Sequence, residues 1–166
     1  MKWIPAYVGL GSNLQDPPRQ VRQALAALAT LPGTRLVCQS ALYGSRPFGP
    51  VAQADFCNAA AGLLTQLHAD ALLAALRTLE VALGREPARE RWGPRVIDLD
   101  LLVFGNERRT GAALTLPHPG IAERSFVLRP LRDFAPDLIV PGVGRVADLA
   151  AKLSSDDPWV IDAAGH

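Results

Sequence analysis

Cysteine is scarce in this chain, with only Cys38 and Cys57 among 166 residues. Two thiols at that spacing fit no zinc site and cannot staple a domain of this size, so buried reduced thiols are expected. No apolar run approaches the roughly 20 residues of a membrane-spanning helix, and the start lacks the basic-then-apolar layout of an export signal. The cytoplasm is the expected compartment. Charge of one sign is also lacking: 17 Lys+Arg against 16 Asp+Glu leaves a net charge of +1, which gives no reason to expect nucleic acid or an anionic membrane as partner. Low-complexity segments, internal repeats and a convincing linker are all absent. Residues 1–166 are therefore read as one domain, long enough for a sizeable core.

The familiar nucleotide cradles are missing too. Gly9-Leu10-Gly11 follows a strand-like run, but the third glycine of a dinucleotide fingerprint would fall at Leu14. The pair is read instead as a tight strand-to-helix turn. No P-loop sequence occurs, and the landmarks of protein kinases are absent.

What is present is concentrated in Arg91-Trp92-Gly93-Pro94-Arg95-Val96-Ile97-Asp98-Leu99-Asp100-Leu101-Leu102. From Val96 to Phe104 only two residues, both carboxylates, are not apolar, which predicts a central strand. Alternation puts Asp98 and Asp100 on one face and Ile97, Leu99, Leu101 and Val103 on the other. Two residues of strand separate the carboxylates by about 6–7 Å. At an effective dielectric near 20 their repulsion is roughly 2–3 kcal/mol. A cation between them would relieve it, and hard oxygen ligands suit magnesium. Neighbouring arginines are the alternative, although Arg95 lies an odd number of residues from Asp98 and so points to the opposite face of a regular strand.

Arg85, Arg89, Arg91 and Arg95 crowd the loop before this strand, a local anion site on a nearly neutral protein. Guanidinium forks bind phosphate oxygens bidentately, and a loop punctuated by glycine and proline suits a closing lid. A solvated loop in which Glu86 and Glu90 pair with the arginines is the alternative. Asn58 stands inside an apolar run, where its amide must be satisfied or cost roughly 1–3 kcal/mol. It could pair with the edge of a flat heterocycle or bond to backbone in the core.

The rest of the pattern fills in the frame. Tyr7–Leu10 reads as a strand. Asp16 caps a helix running from Pro17 to about Thr30, with Val21, Leu25 and Leu28 inward and Pro32-Gly33 stopping it. Arg35–Leu42 and Phe56–Leu64 read as strands. Asp70 caps a second helix with Leu72, Leu76, Leu79 and Leu83 as its stripe and Gly84 at its end. Strand-helix-strand-strand-helix-strand is an α+β, ferredoxin-like split βαβ layout, an antiparallel sheet with helices on one face. Leu114–Leu116 and the region after Arg124, with Pro130 near a helix start, are additions to that core.

Four ordered blocks resemble the family of 6-hydroxymethyl-7,8-dihydropterin pyrophosphokinase, over roughly Ala6 to Pro141. They are Ala6-Tyr7-Val8-Gly9-Leu10-Gly11-Ser12-Asn13; Gly49-Pro50 with Asp55-Phe56-Cys57-Asn58-Ala59-Ala60; the arginine–aspartate segment; and Leu116-Pro117-His118 with Arg124 and Phe126. The resemblance implies the ferredoxin-like core and transfer of a diphosphate from ATP to a pterin alcohol in the folate pathway. It also implies two Mg²⁺ ions on Asp98 and Asp100, with Arg85 and Arg95 assisting catalysis. ATP would meet Arg77, Glu80, Arg85, Arg91, Trp92, Arg95, Leu101, His118 and Arg124. The pterin would meet Ser45, Arg46, Phe48, Phe56, Asn58, Trp92, Asp98 and Phe126. Arg77 stands where the family often has an amide, Pro87 where it often has a second arginine, and Ser45 and Arg46 where threonine and proline are common. A monomer acting on small molecules is expected. Two rival readings are another metal-dependent phosphoryl or nucleotidyl transferase, and a non-catalytic RNA-binding module, whose aromatic and basic motif is not found.

Overall fold

The computed structural model describes residues 2–47, 49–50, 52–84, 96–153 and 158–162. Strand β1 (Ile4–Ser12) shows why the chain folds as it does, because its side chains sort by parity. Ala6, Val8 and Leu10 are buried in one core, while Tyr7, Gly9 and Gly11 face the other side of the sheet. Helix α1 (Pro17–Leu28) lays Val21, Ala24, Leu25 and Leu28 on the first face. Helix α2 (Ala69–Ala82) lays Leu72 and Leu76 there, with Leu79 and Leu83 half-buried at the margin.

The other strands of the main sheet are β2 (Thr34–Gln39), β3 (Leu42–Ser45), β4 (Phe56–Thr65), β5 (Asp98–Phe104) and β8 (Trp159–Asp162). The sheet order is β5-β1-β4-β3-β8, with β2 also paired to β4, and every pairing is antiparallel. This is the expected split βαβ core. The predicted strand Arg35–Leu42 is in fact two, β2 and β3, broken at Ser40 and Ala41. There Ser40 Oγ accepts the Ala60 N–H (2.9 Å) and donates to the Ala41 carbonyl (2.7 Å). A serine that satisfies backbone in this way lets the chain bend without leaving a buried donor unpaired.

Helices cover both faces of the sheet. Helix α3 (Ser125–Phe134), the short α4 (Val146–Ala151) and the two-residue strands β6 (Ile139–Val140) and β7 (Gly144–Arg145) form a second core with Ala60, Leu102 and Val103. The cause lies in β4, which is buried at both parities from Cys57 to Leu63 and so needs apolar cover on both sides. Tyr7 stacks on Phe134 at 6.4 Å, and Tyr43 donates to Asp133 Oδ1 at 2.6 Å, tying α3 to the sheet. Pro130 lies inside α3 rather than near its start. The tail after the family-like region contributes β8 to the edge of β3.

Local expectations at the helix starts also change. Asp16 occupies the N-cap of α1 in a left-handed conformation (φ 64°) and makes no side-chain cap bond. His68, not Asp70, is the N-cap of α2, and the Asp70 carboxylate instead meets Arg109 at 2.6 Å. Gly84 does follow the C-cap of its helix with positive φ (101°), whereas α1 already ends at Leu28 with Ala29 as its C-cap, and Gly33 (φ 58°) turns the chain into β2 instead. Cys57 is buried and Cys38 half-buried, both as free thiols.

Candidate active site

Strand β5 carries Asp98 and Asp100 on the face opposite α1 and α2, as alternation predicts. Ile97, Leu99 and Leu101 belong to the first core. Val103 does not follow them. The register with β1 slips between Tyr7 and Val8, leaving Leu102 as an extra residue, so Leu102 and Val103 both enter the second core while Phe104 returns to the first. Nor is β5 central: among the described residues it pairs only with β1. Its apolar character comes from a covered edge. The His118 N–H donates to the Leu102 carbonyl (2.8 Å), and Glu80 and Arg77 of α2 bond the backbone of Leu99. An edge so capped can be as apolar as an interior strand.

Gly9 and Gly11 are not a turn. They lie mid-strand in β1, directly opposite Asp100 and Asp98 respectively. Gly11 is opposite Asn58 of β4 on its other side, and Asn58 is opposite Tyr43 of β3. A row of Asp98, Gly11, Asn58 and Tyr43 therefore crosses the sheet on one face. The two glycines lower its floor: a Cβ on Gly11 would stand 3.3 Å from Asn58 Oδ1 and 3.8 Å from Phe56 Cδ1, and one on Gly9 would stand 3.4 Å from Leu102. Any larger side chain in β1 would occupy the space between the carboxylates and the amide.

Asn58 is 5% exposed, and its Nδ2 donates to Ser45 Oγ at 2.6 Å, which fixes the amide plane with Oδ1 towards Gly11. Ser45 is buried, Phe56 and Phe126 are half-buried, and Arg46 is exposed. Asn13, the last residue of the first family-like block, is 3% exposed. It donates to Gln53 Oε1 (2.8 Å) and the Ala54 carbonyl (3.0 Å), anchoring the segment that leads into β4 beside the site. Gln53 and the Tyr43–Asp133 bond were not visible in the sequence, because partners 40 and 90 residues apart follow no local pattern.

The electrostatics mark the two aspartates as an unusual pair. Burial, then the charge of Asp98, pushes the Asp100 carboxyl up to about 7; Arg77 and Arg124 oppose this and Glu80 adds to it. His118 is held down to about 4, first by burial and then by Arg124, against the opposing pull of Asp98. Those mutual influences place His118, Arg124, Asp98 and Asp100 around one region. His118 Nδ1 accepts the Gly120 N–H at 3.2 Å, so the neutral ring carries its proton on Nε2 as a donor. The Arg124 guanidinium lies 5.9 Å from the Phe126 ring centroid and close over Gly120, where a Cβ would stand 2.7 Å from Arg124 Nε. Leu101 is buried in the first core. Phe48, Arg85, Arg91, Trp92 and Arg95 lie outside the described residues.

The carboxylate pair fits a magnesium ion by the chemistry of its donors. Two hard oxygen ligands, one pushed towards its neutral form by burial and by the other, are stabilised as anions by a divalent cation. Among the described residues no group of three or more His, Cys, Asp or Glu could enclose a metal, so water or phosphate oxygens would complete such a shell.

Comparison with known proteins gives a consistent result. Residues 7–136 match the family described as 7,8-dihydro-6-hydroxymethylpterin-pyrophosphokinase (HPPK). The chain is 47% identical over 146 residues to the 2-amino-4-hydroxy-6-hydroxymethyldihydropteridine pyrophosphokinase of Pseudomonas aeruginosa, covering 87% of this chain and 89% of that one. It is 41% identical over 151 residues to the Haemophilus influenzae protein of the same name, covering 91% and 94%. Among solved structures, wild-type Plasmodium falciparum HPPK-DHPS with pteroate superposes with a TM-score of 0.72 at 12% identity, over 91% of this chain. The chain spans only 44% of that protein's length, and at this identity the likeness shows the shared fold.

Proposed function

The chain belongs to the 7,8-dihydro-6-hydroxymethylpterin-pyrophosphokinase family, and from that membership and the site we propose that it transfers a diphosphate from ATP to the hydroxymethyl group of 6-hydroxymethyl-7,8-dihydropterin, releasing AMP, as a step of folate biosynthesis. The observation that carries the chemistry is the row of Asp98, Gly11 and Asn58 across one face of the sheet. It sets a carboxylate pair beside a polar amide, with a side-chain-free floor between them.

In this reading Asn58, held by Ser45, reads the hydrogen-bonding edge of the pterin, and Phe56 and Phe126 offer ring faces. Asp98 and Asp100 hold Mg²⁺, as two ions, which when bound neutralises charge on the phosphates. His118 donates from Nε2 and Arg124 from its guanidinium to phosphate oxygens. Arg85, Arg91, Arg95 and Trp92 complete the ATP site by the family pattern. The pterin hydroxyl attacks the β-phosphorus, the bond between the α- and β-phosphates breaks, and AMP leaves. Positioning and electrostatic stabilisation supply the catalysis, with no obligatory general base. The enzyme acts as a cytoplasmic monomer on two small molecules, with neither nucleic acid nor membrane involved. No helix of the described residues is long and apolar enough to cross a membrane.

Nucleotide analysis tests the proposal directly. With ATP, Mg²⁺ and the pterin alcohol, AMP should form in equal amount to the pterin diphosphate, with no ADP and little turnover when pterin is omitted. ADP as the main product would mean transfer of a single phosphate, and AMP with free pyrophosphate would mean hydrolysis.

A further inference from the structure

Leu99 stands between the two aspartates, on a strand that among the described residues has no neighbouring strand on its outer side. Both of its outward backbone groups are nevertheless bonded, and by side chains. The Leu99 N–H donates to Glu80 Oε2 at 2.7 Å, and its carbonyl accepts from Arg77 Nη1 at 2.7 Å. The same Arg77 nitrogen donates to Glu80 Oε1 at 3.0 Å, closing the circuit. A donor and an acceptor one helical turn apart on α2 thus bond this edge as the backbone of a neighbouring strand would.

The burial of Glu80 shows that this is a built arrangement. It is 2% exposed, on a helix whose other inward residues, Leu72 and Leu76, are wholly apolar. A leucine there would pack without the penalty of desolvating a charge. Any movement of the Leu99 peptide shifts Asp98 and Asp100 together, since they flank it on either side.

We propose that Glu80 and Arg77 are positioning residues that hold the Leu99 peptide and thereby set the relative placement of Asp98 and Asp100 for their metal. This rests on the reading of that pair as a magnesium site. It gives residues 77 and 80 a duty through the strand backbone rather than direct contact with the nucleotide. Arg77 provides the second half of the clamp: its planar head reaches the Leu99 carbonyl and the Glu80 carboxylate with one nitrogen while half its side chain stays in solvent.

The test compares the wild type with Glu80→Ala, Glu80→Gln and Arg77→Gln. Its readouts are hydrogen exchange of the Leu99 amide in the free protein, Mn²⁺ binding followed by electron paramagnetic resonance, and binding of a non-hydrolysable ATP analogue without metal. Glu80→Ala should speed Leu99 exchange and weaken Mn²⁺ binding by about 10–100-fold, the usual cost of losing a group that orients metal ligands. Glu80→Gln keeps an acceptor for the amide and should recover most of that affinity. Arg77→Gln, at a half-exposed position that carries little risk to folding, should weaken Mn²⁺ less than Glu80→Ala does. Metal-free nucleotide binding should stay unchanged in all three. Loss of metal-free nucleotide binding would make these residues nucleotide contacts, and faster Leu99 exchange with unaltered Mn²⁺ binding would make the clamp purely structural; either overturns the proposal. If Glu80→Ala does not fold, unaltered Mn²⁺ binding in both remaining variants overturns it equally. A wild type that binds no Mn²⁺ removes the metal site itself, whereas a binding wild type with unaffected variants removes only the positioning role.

Discussion

The two faces of β1 are built to opposite ends from one alternating sequence. On the side of α1 and α2, Ala6, Val8 and Leu10 are sealed under helices whose inward residues are almost all apolar. On the other side the same strand offers Tyr7 to the α3 core and then two glycines opposite Asp100 and Asp98. The first face maximises packing. The second changes character along its length, from a closed core at Tyr7 to a floor without side chains at Gly9 and Gly11. The lesson is that a site can be opened in a sheet by omitting side chains on one parity, while the other parity keeps the sheet stable.

Separating the faces by mutation should therefore separate stability from activity. Asp98→Asn or Asp100→Asn should reduce turnover by at least about 10²–10³-fold, the scale on which loss of one electrostatic stabiliser is felt. Circular dichroism of these variants should remain that of the wild type. Conversely, Leu72→Ala on the closed face and Leu128→Ala in the α3 core should each cost about 2–5 kcal/mol of folding stability, since both side chains are fully buried. Urea melts measure this. The folded fraction of each should keep the wild-type KM for both substrates. Near-normal turnover in an aspartate variant, or a large KM change in Leu72→Ala, would break the division between faces.

The glycine floor gives a smaller and sharper test. Gly11→Val places new atoms against Asn58 Oδ1, already 3.3 Å from an added Cβ, and overpacking of that kind costs about 1–3 kcal/mol. If the space is the pterin pocket, the cost should appear as roughly tenfold or weaker pterin binding by calorimetry, because tenfold is about 1.4 kcal/mol. ATP binding should change far less. Asn58→Ala should act in the same direction, leaving Ser45 Oγ without its donor; a fully folded Asn58→Ser that binds pterin normally would instead make Asn58 a core amide.

How far the sequence revealed this arrangement depended on the range of each interaction. Parity placed Asp98 and Asp100 on one face correctly, and the spacing of Leu72 and Leu76 found the inward side of α2, because both are local periodicities. The same alternation failed at Val103, since one extra residue at Leu102 inverts everything beyond it, and a bulge has no fixed signature. Gly9 and Gly11 read as a turn because glycine in a strand is uncommon unless something must come close. The edge position of β5 was hidden for a similar reason: Glu80, Arg77 and His118 close that edge from other elements, so the strand itself reads as interior. The second helical layer could have been suspected from β4, whose run Ala59-Ala60-Ala61 offers no polar parity.

Titration of the metal-free protein yields the smallest expected effects, and they run in opposite directions. Asp100 keeps its proton in the folded state up to about 7 against an ordinary 3.8, so between those values the folded state binds more protons than the unfolded. Its contribution to stability is therefore complete in acid and is lost as pH rises through 7. His118, at about 4 against 6.5, does the reverse: the unfolded state binds the extra proton, and stability falls as pH drops from 6.5 towards 4. In the wild type the two slopes oppose one another across the window they share. Single variants expose them. The melting temperature of Asp100→Asn relative to wild type should be higher at pH 8 than at pH 5, since the amide imitates the protonated acid. For His118→Gln the difference should favour pH 5, where the wild-type imidazole stays mostly neutral in the fold while the unfolded chain gains by taking up a proton. Differential scanning calorimetry with a chelator present measures both. Asp98 raises both groups, so in an Asp98→Asn background the Asp100 effect should shrink and the His118 effect should grow. If both effects keep their size there, Asp98 does not share the local field of the other two residues, and the open half of this face is not a single electrostatic site.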